Sequence, residues 1–386
     1  MTSTRTTPRT MARMTRGSIQ LPSHGRAHNL SLVLQTLHSS GPMSRADLSR
    51  TLGLTRVTVS GLVAELLERS HVIELGHSEN IRPGKPAIMV DLNRHGLQIV
   101  GLDLAENSVL KAAVMDLDGN ILHRVESLVG EEKGEEVTAL VLDLATRAVD
   151  LATAPLLGIG VGTPGIVDAD GMVLTAPNLH WQDVALRELI QEHTRLPTLV
   201  SNDADAAVLG EFTFGGRSDD MILVKIGRGV GSGLMVDGRR TRGVHFAAGE
   251  IGHVVVGTDG GAKCKCGKFG CLETWLSVPF VERGLAAAAA SPDPEAAAKD
   301  VLRTAGERLA VALAPIVGAL DLAEVVLSGP AHILEDTLLT SVKETLAQRM
   351  LPYRPPLIEI RLAKEPQDVV LRGTAVMVLW NQLGVA

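Results

Sequence analysis

Cysteine is nearly absent from this chain: three residues in 386, all within eight positions, Cys264, Cys266 and Cys271. So small and odd a count excludes a disulfide framework and points to a reducing compartment, the cytoplasm. Long apolar runs are missing as well. The longest, LAVALAPIVGAL at 309–320, is bounded by Arg308 and Asp321 and is too short to span a bilayer. The N-terminus carries arginines but no apolar core or cleavage pattern, which excludes a secretory signal. No acidic residue occurs before Asp47. Residues 1–91 hold 11 Lys/Arg against 6 Asp/Glu, and the remainder holds 26 against 38, within a net charge of -7. A basic front end on an acidic body is the asymmetry of a protein whose one end meets a polyanion. With 45% hydrophobic and 21% charged residues, the chain is long enough for two or three globular domains.

Residues 1–24 are polar, Thr/Arg-rich and without periodicity, and are expected to be a disordered basic arm, with order beginning near Gly25. Leu30, Val33, Leu34 and Leu37 follow the i, i+3, i+4, i+7 pattern of an amphipathic helix. Ser44 with Asp47 three residues later predicts an N-cap and a short helix over 45–52, and Gly53 permits a tight turn. Thr55 then caps a third helix whose apolar face is Val59, Leu62, Val63, Leu66 and Leu67. Helix, short helix, glycine turn and helix make a helix-turn-helix. Its last helix would enter the major groove by its N-terminal end, presenting Thr55, Arg56, Val57, Thr58, Ser60 and Gly61. Arginine suits guanine or phosphate, the hydroxyls suit phosphate or base edges, valine suits a thymine methyl, and glycine permits close approach. Two strands, at 72–75 and 87–90, flank a loop carrying Arg82, Gly84 and Lys85. They predict a wing with a basic tip that reaches the backbone or minor groove of double-stranded DNA. A winged helix-turn-helix over 25–92 is the expectation.

From Leu97 the pattern becomes α/β. A strand, an Asp118-Gly119 hairpin and a helix near 133–152 precede GIGVGTPGIVD, a buried strand running into a glycine-rich loop. The plan restarts near Met221 with MILVKIGRGVGSGLMVDGRR, again strand, glycine turn, strand and an Asp-Gly turn. Two hairpin-led halves follow from this: 93–205, rejoined by a C-terminal helix at 367–386, and 206–366. Gly160, Gly162 and Gly165 satisfy G-x-G-x-x-G, but a strand continues where a dinucleotide fingerprint needs a helix, so that reading is rejected.

The three cysteines, in CKCGKFGC, can converge on one tetrahedral ion. His253, in GEIGH, is the best fourth ligand, and Cys3His suits a structural Zn2+ with every position filled by protein.

GEIGH…CKCGKFGCLE resembles the zinc signature of the ROK family of repressors and sugar kinases. GIGVGTPGIVD, APNL, SNDADAAVLGE, KIGRGVGSGLMVDG and VVLSGP are similar to its other motifs. The resemblance runs from about Gly25 to the C-terminus. It implies a two-domain actin-like, hexokinase-like (ribonuclease H-like) body behind the winged helix that the family's regulators carry, such as the xylose and N-acetylglucosamine types. It places a sugar at Gly162, Thr163, Pro164, Asn178, Asn202, Asp203, Glu250, His253 and Glu273. Asp203 matches the kinases' general base, and His253 would hold zinc by one ring nitrogen and a sugar hydroxyl by the other. The kinases' phosphate loop reads Asp-x-Gly-Gly-Thr. Here it is Asp103-Leu104-Ala105-Glu106-Asn107, which puts a carboxylate where phosphates would sit; Arg228 and Asp205 also depart from the family pattern. The implied protein is a sugar-responsive repressor with a degenerate ATP site and no catalysis of its own, acting as a homodimer or homotetramer. The alternatives are a sugar kinase that also binds DNA, and a regulator controlled by a protein partner.

Overall fold

A computed structural model describes residues 22–77, 87–106, 108–216, 218–257, 261–351 and 358–384. It forms two compact units that divide between Asp91 and Leu92.

The first unit contains α1 (Pro22–Ser40), β1 (Met43–Ser44), α2 (Arg45–Leu52), α3 (Arg56–Glu68), β2 (Val72–His77) and β3 (Ile88–Leu92), with sheet order β1-β3-β2. Helix α1 starts at Pro22, slightly before Gly25, near which the sequence predicts that order begins. Proline's fixed φ suits a first helical turn, whereas the apolar periodicity that betrays the helix begins only at Leu30. Ser44 Oγ accepts from the Asp47 amide and donates to its carboxylate, so both ends of the cap are satisfied, and this holds the Asp47 pKa low. Gly53, at φ 66°, ends α2 in the left-handed conformation that glycine adopts without strain. Thr55 Oγ1 caps α3 by accepting from the Thr58 amide at 3.2 Å. Val33, Leu37, Leu48, Val59, Leu62, Val63 and Leu66 close the core of this unit.

The second unit is two sheets of one design. The first comprises β4 (Gln98–Asp103), β5 (Val109–Met115), β6 (Ile121–Leu128), β7 (Leu156–Thr163) and β11 (Thr198–Asn202), in the order β11-β7-β4-β5-β6. Three short strands, β8 (Ile166–Val167), β9 (Val173–Ala176) and β10 (Trp181–Val184), form a side sheet. Helices α4 (Glu135–Asp150) and α5 (Leu186–Thr194) bury Val141, Leu144 and Ile190 in the core beside Val100, Leu102 and Val161.

Helix α6 (Asp203–Gly210) leads to the second sheet. That sheet holds β12 (Met221–Ile226), β13 (Val230–Val236), β14 (Arg239–Arg240), β15 (Glu324–Ser328) and β16 (Glu359–Leu362), in the order β14-β13-β12-β15-β16. In both sheets the leading hairpin is antiparallel and the strands on its other side are parallel. Helices α7 (Glu273–Leu276), α8 (Val278–Ala289), α9 (Pro294–Leu320) and α10 (Asp336–Arg349) belong to the second lobe; Leu309, Leu313 and Val342 pack on Val224 and Val325. Buried strands β7 and β15 are near-continuous apolar runs, as parallel strands covered on both faces must be.

Helix α11 (Val369–Leu383) returns to the first sheet, against β4 and β7, and crosses α6. Its first residues, Val369 and Val370, share a core with Met221, Leu223 and Val326 of the second sheet. Helix α6 likewise packs against β7, β12 and β13. A division of the halves at 205 therefore cuts through a helix that both lobes use. At the crossing, a Cβ on Gly373 would lie 1.7 Å from the Ala206 carbonyl oxygen. Only glycine lets the two backbones come so close.

Candidate functional site

The site is assembled where the strand ends of the two sheets meet. Strand β7 enters the glycine loop at Gly162, Thr163 and Pro164. Gly165 turns at φ 93°, and a Cβ there would lie 2.0 Å from the Thr175 carbonyl oxygen. Thr163 is fully buried and its hydroxyl turns toward the Pro164 carbonyl, leaving the peptide units of this loop as its groups for a ligand. Asn202 uses both ends of its amide. Oδ1 caps α6 by accepting from the Ala204 and Asp205 amides, and Nδ2 donates to the Gly165 carbonyl at 2.8 Å. It thereby fixes the start of α6 to the glycine loop and sets where Asp203 stands.

Asp203 Oδ2 pairs with Lys225 Nζ at 3.1 Å, and both side chains are largely buried. Asp205 lies 3.5 Å from Arg240, whose Nη1 also donates to Ser201 Oγ at 2.6 Å. Burial pushes the Asp205 carboxyl up to about 6, against the pull of Arg240 and Arg242. Its Oδ1 is buried without a hydrogen-bond partner. Burial also raises the Glu250 pKa. His253 opposes that shift, while Asp203, Asp205 and Glu273 add to it, so these five groups are near enough to feel one another's charge. The Glu273 carboxylate sits in space that Gly229 leaves open: a Cβ on Gly229 would be 2.7 Å from Glu273 Oε2. Asn178, from the turn between β9 and β10, accepts from Lys265 Nζ at 3.1 Å, which joins the first lobe to the cysteine loop.

The cysteine loop is pinned by bridges between Val255 and Cys271 and between Lys263 and Phe269. Ligand atoms of His253, Cys264, Cys266 and Cys271 all lie within 4.8 Å of one another. Cys266 and Cys271 sulfurs are 3.6 Å apart, and Cys264 Sγ is 3.5 Å from His253 Nδ1. A tetrahedron with metal–sulfur bonds of about 2.3 Å and metal–nitrogen bonds of about 2.0 Å has edges of that length. The donor set therefore fits a four-coordinate ion, and the cluster could hold a metal. Burial and the neighbouring thiols push Cys271 up to about 12, a cost that a coordinated cation removes.

On the first unit, Thr55, Arg56, Val57, Thr58, Ser60 and Gly61 are all exposed on one end of α3, with Val57 83% exposed. Arg82 and Lys85 of the expected wing tip lie outside the described residues.

Two cleft residues escape a reading of the sequence by motif: Lys225 and Arg240. The signal for the first was a single charge inside an otherwise apolar strand, MILVKI. The second stands in an Arg-Arg pair after an Asp-Gly turn, indistinguishable by sequence from a solvated edge.

The ROK family model matches residues 99–381, most of the second unit. The chain belongs to the ROK family. A xylose repressor from Caldicellulosiruptor bescii is 28% identical over 388 residues, covering 92% of this chain and 96% of that protein. A glucokinase from Halalkalibacterium halodurans is 31% identical over 307 residues, covering 71% of this chain and 92% of the kinase. Among solved structures, a ROK family transcriptional regulator, a homolog of the Escherichia coli MLC protein, superimposes with a TM-score of 0.80 at 26% identity, over 93% of this chain and 98% of that one. A Streptomyces griseus ROK glucokinase, solved with glucose and AMPPNP, gives 0.64 at 24% identity over 72% of this chain and 98% of the kinase, a likeness of fold. The two kinases cover 71–72% of this chain, whereas the Caldicellulosiruptor bescii repressor and the MLC homolog cover 92–93% of it. No helix among the described residues is long and apolar enough to cross a membrane.

Proposed function

We propose that this ROK protein is a sugar-responsive, DNA-binding transcriptional repressor of carbohydrate-utilisation genes. It would act in the cytoplasm as a homodimer or homotetramer on a double-stranded operator. The observation that carries this reading is a winged helix-turn-helix unit joined to a kinase-type body, in a chain that a xylose repressor matches over almost its full length. The exposed N-terminal end of α3 supplies the groove contacts through Thr55, Arg56, Val57, Thr58, Ser60 and Gly61, with Arg82 and Lys85 reaching the DNA backbone or minor groove.

In the body, Asp203, Glu250, Glu273, His253 and Asn178 surround the sugar, with the peptides of 162–164 beneath it and Asn202 setting the helix start. Carboxylates, an amide and an imidazole pair the donor and acceptor sites of neighbouring hydroxyls. Zn2+ held by His253, Cys264, Cys266 and Cys271 would fix the imidazole's orientation, with Nδ1 toward the sulfurs and Nε2 left for a hydroxyl. Phosphoryl transfer is absent from this reading. Ala105 and Glu106 stand where the kinases' phosphate loop has its two glycines, and Glu106 adds a repelling charge. The would-be base Asp203 is already paired with Lys225. A sugar shifts DNA affinity only by its preference for one arrangement of the lobes.

The test is selection of duplexes bound by the full chain from a random-sequence library. Release from the enriched duplex is then measured with D-xylose, D-glucose, N-acetylglucosamine and their phosphates, with and without Mg-ATP. Enrichment of one sequence, with a tenfold or larger change in Kd for one sugar without ATP, is expected. No enrichment sinks the DNA reading, and no sugar effect favours a protein partner as the signal. The glucokinase relative gives a second reading, a kinase that also binds DNA, and sugar-dependent ATP consumption would put it first.

A further inference from the structure

The two sheets share one strand order, so β4 and β12 occupy matching places, each leading its hairpin. They carry opposite charges near their C-terminal ends. Strand β4 closes with Asp103, buried beside Gly162 of β7. Strand β12 carries Lys225, whose register partners are Gly231 on β13 and Ser328 on β15. Those small neighbours leave the lysine stem room to cross from the second lobe to Asp203 at the head of α6. Asp103 and Glu106 act on the same ammonium. The Lys225 ammonium thus pairs with Asp203 and feels the charges of Asp103 and Glu106 of the β4 end. Helix α6 offers a second carboxylate, Asp205, to a second cation of the other lobe, Arg240.

We propose that Lys225 is an internal counter-ion that ties the first lobe's carboxylates to the second lobe and so positions Asp203 with no bound nucleotide. Without the ammonium, Asp103, Glu106 and Asp203 are three like charges at the junction, repelling one another across a poorly solvated gap. Burial by itself would pull the Lys225 pKa down; Asp203, Asp103 and Glu106 reverse that and keep it charged. Burial pushes the Asp103 carboxyl up, against the pull of Lys225 and of the Ala105 amide, which donates to Oδ1 at 2.9 Å and holds the group in place. Lys225 acts through Asp203 and is a positioning residue. The tie stands on the Lys225–Asp203 contact and the strand register; its meaning for sugar sensing rests on the cleft reading above.

The experiment uses the full chain with no sugar present. Backbone amide exchange is followed at residues 98–106 and 203–210 in the wild type, K225M, K225R, D103N and K225M/D103N. K225M, which keeps the stem and removes the charge, is expected to exchange at least tenfold faster in both segments. K225R should stay within about threefold of the wild type, and K225M/D103N should recover at least half of the loss in thermal midpoint seen in K225M. Wild-type exchange in K225M overturns the proposal. So does a loss that is as large in K225R and is not relieved in K225M/D103N, since that is the mark of lost packing. If K225M does not fold, recovery of folding in K225M/D103N or K225R supports the tie, and failure of both refutes it. Because no sugar is used, failure here leaves the sensor reading standing. That reading falls separately if no monosaccharide changes DNA binding.

Discussion

The winged unit and the two-lobed body are held together in different ways. The winged unit's helix ends are set by neighbours in sequence, Ser44 with Asp47, Thr55 with Thr58, and Gly53 where α2 must stop, and its distant pairs Arg26–Glu65 and Arg45–Glu74 are largely exposed. The body relies on partners far apart in the chain. Arg124 of β6 binds Asp368 with two hydrogen bonds of 2.7 Å, Arg361 of β16 pairs with Glu211, and Arg240 reaches Ser201. A short-range design makes an element robust by itself. A long-range design makes two lobes one object, and places the chemistry where they join.

Removing the metal is expected to have the largest effect and to spare the winged unit. Chelation, or Cys264→Ser, should release one zinc per chain by atomic emission and make residues 254–276 exchange freely. Structural zinc contributes on the order of 10 kcal/mol to small zinc-folded domains. An unchanged exchange pattern after chelation would show that the cysteine loop folds without an ion.

Gly373→Ala should follow, at about 3 kcal/mol or more, because the added methyl meets a backbone oxygen that cannot swing aside. Urea denaturation would show the loss in the body's transition alone. A wild-type midpoint would mean that α6 and α11 separate more readily than their contact implies.

Asp205 links stability to pH. Its pKa is raised from 3.8 to about 6, so the folded state binds its proton more tightly than the unfolded chain does. The body should therefore lose stability as pH rises from about 4 through 6, by on the order of 2–3 kcal/mol, and stay level above. In Asp205→Asn this contribution to the slope should vanish. A slope identical to the wild type would assign it to other groups, Glu250 first.

The smallest effects belong to the winged unit. Thr55→Ala should cost about 1 kcal/mol through the lost cap. Gly61→Ala should gain about 0.5–1 kcal/mol, since Gly61 lies within α3 with open space around it. Calorimetry that places both changes in the body's transition would erase the contrast between the units.

The same contrast governs what a reader of the sequence could see. The caps at Ser44 and Thr55, the buried face of α3 and the repeated hairpin plan were legible because each depends on residues within a few positions or on a period of two or 3.6. The cysteine cluster was legible because three rare residues crowd into eight positions, and His253 because it stands in a motif. The sequence hid the first turns of α1, which carry no apolar periodicity. It also hid the shared use of α6, since a helix packed on both sides looks like any other short apolar helix.

By itself, then, the sequence determined local conformation, the set of side chains in the cysteine loop that could hold a metal, and the kinship of the body. Capping, periodicity and spacing act within a turn or a strand, so no distant residue is needed to read them. Tertiary structure alone decided that Lys225 meets Asp203 and that Arg240 meets Asp205 and Ser201. Those pairings cross between sheets, and a charge finds its partner only when the folded backbone brings the two within hydrogen-bonding distance.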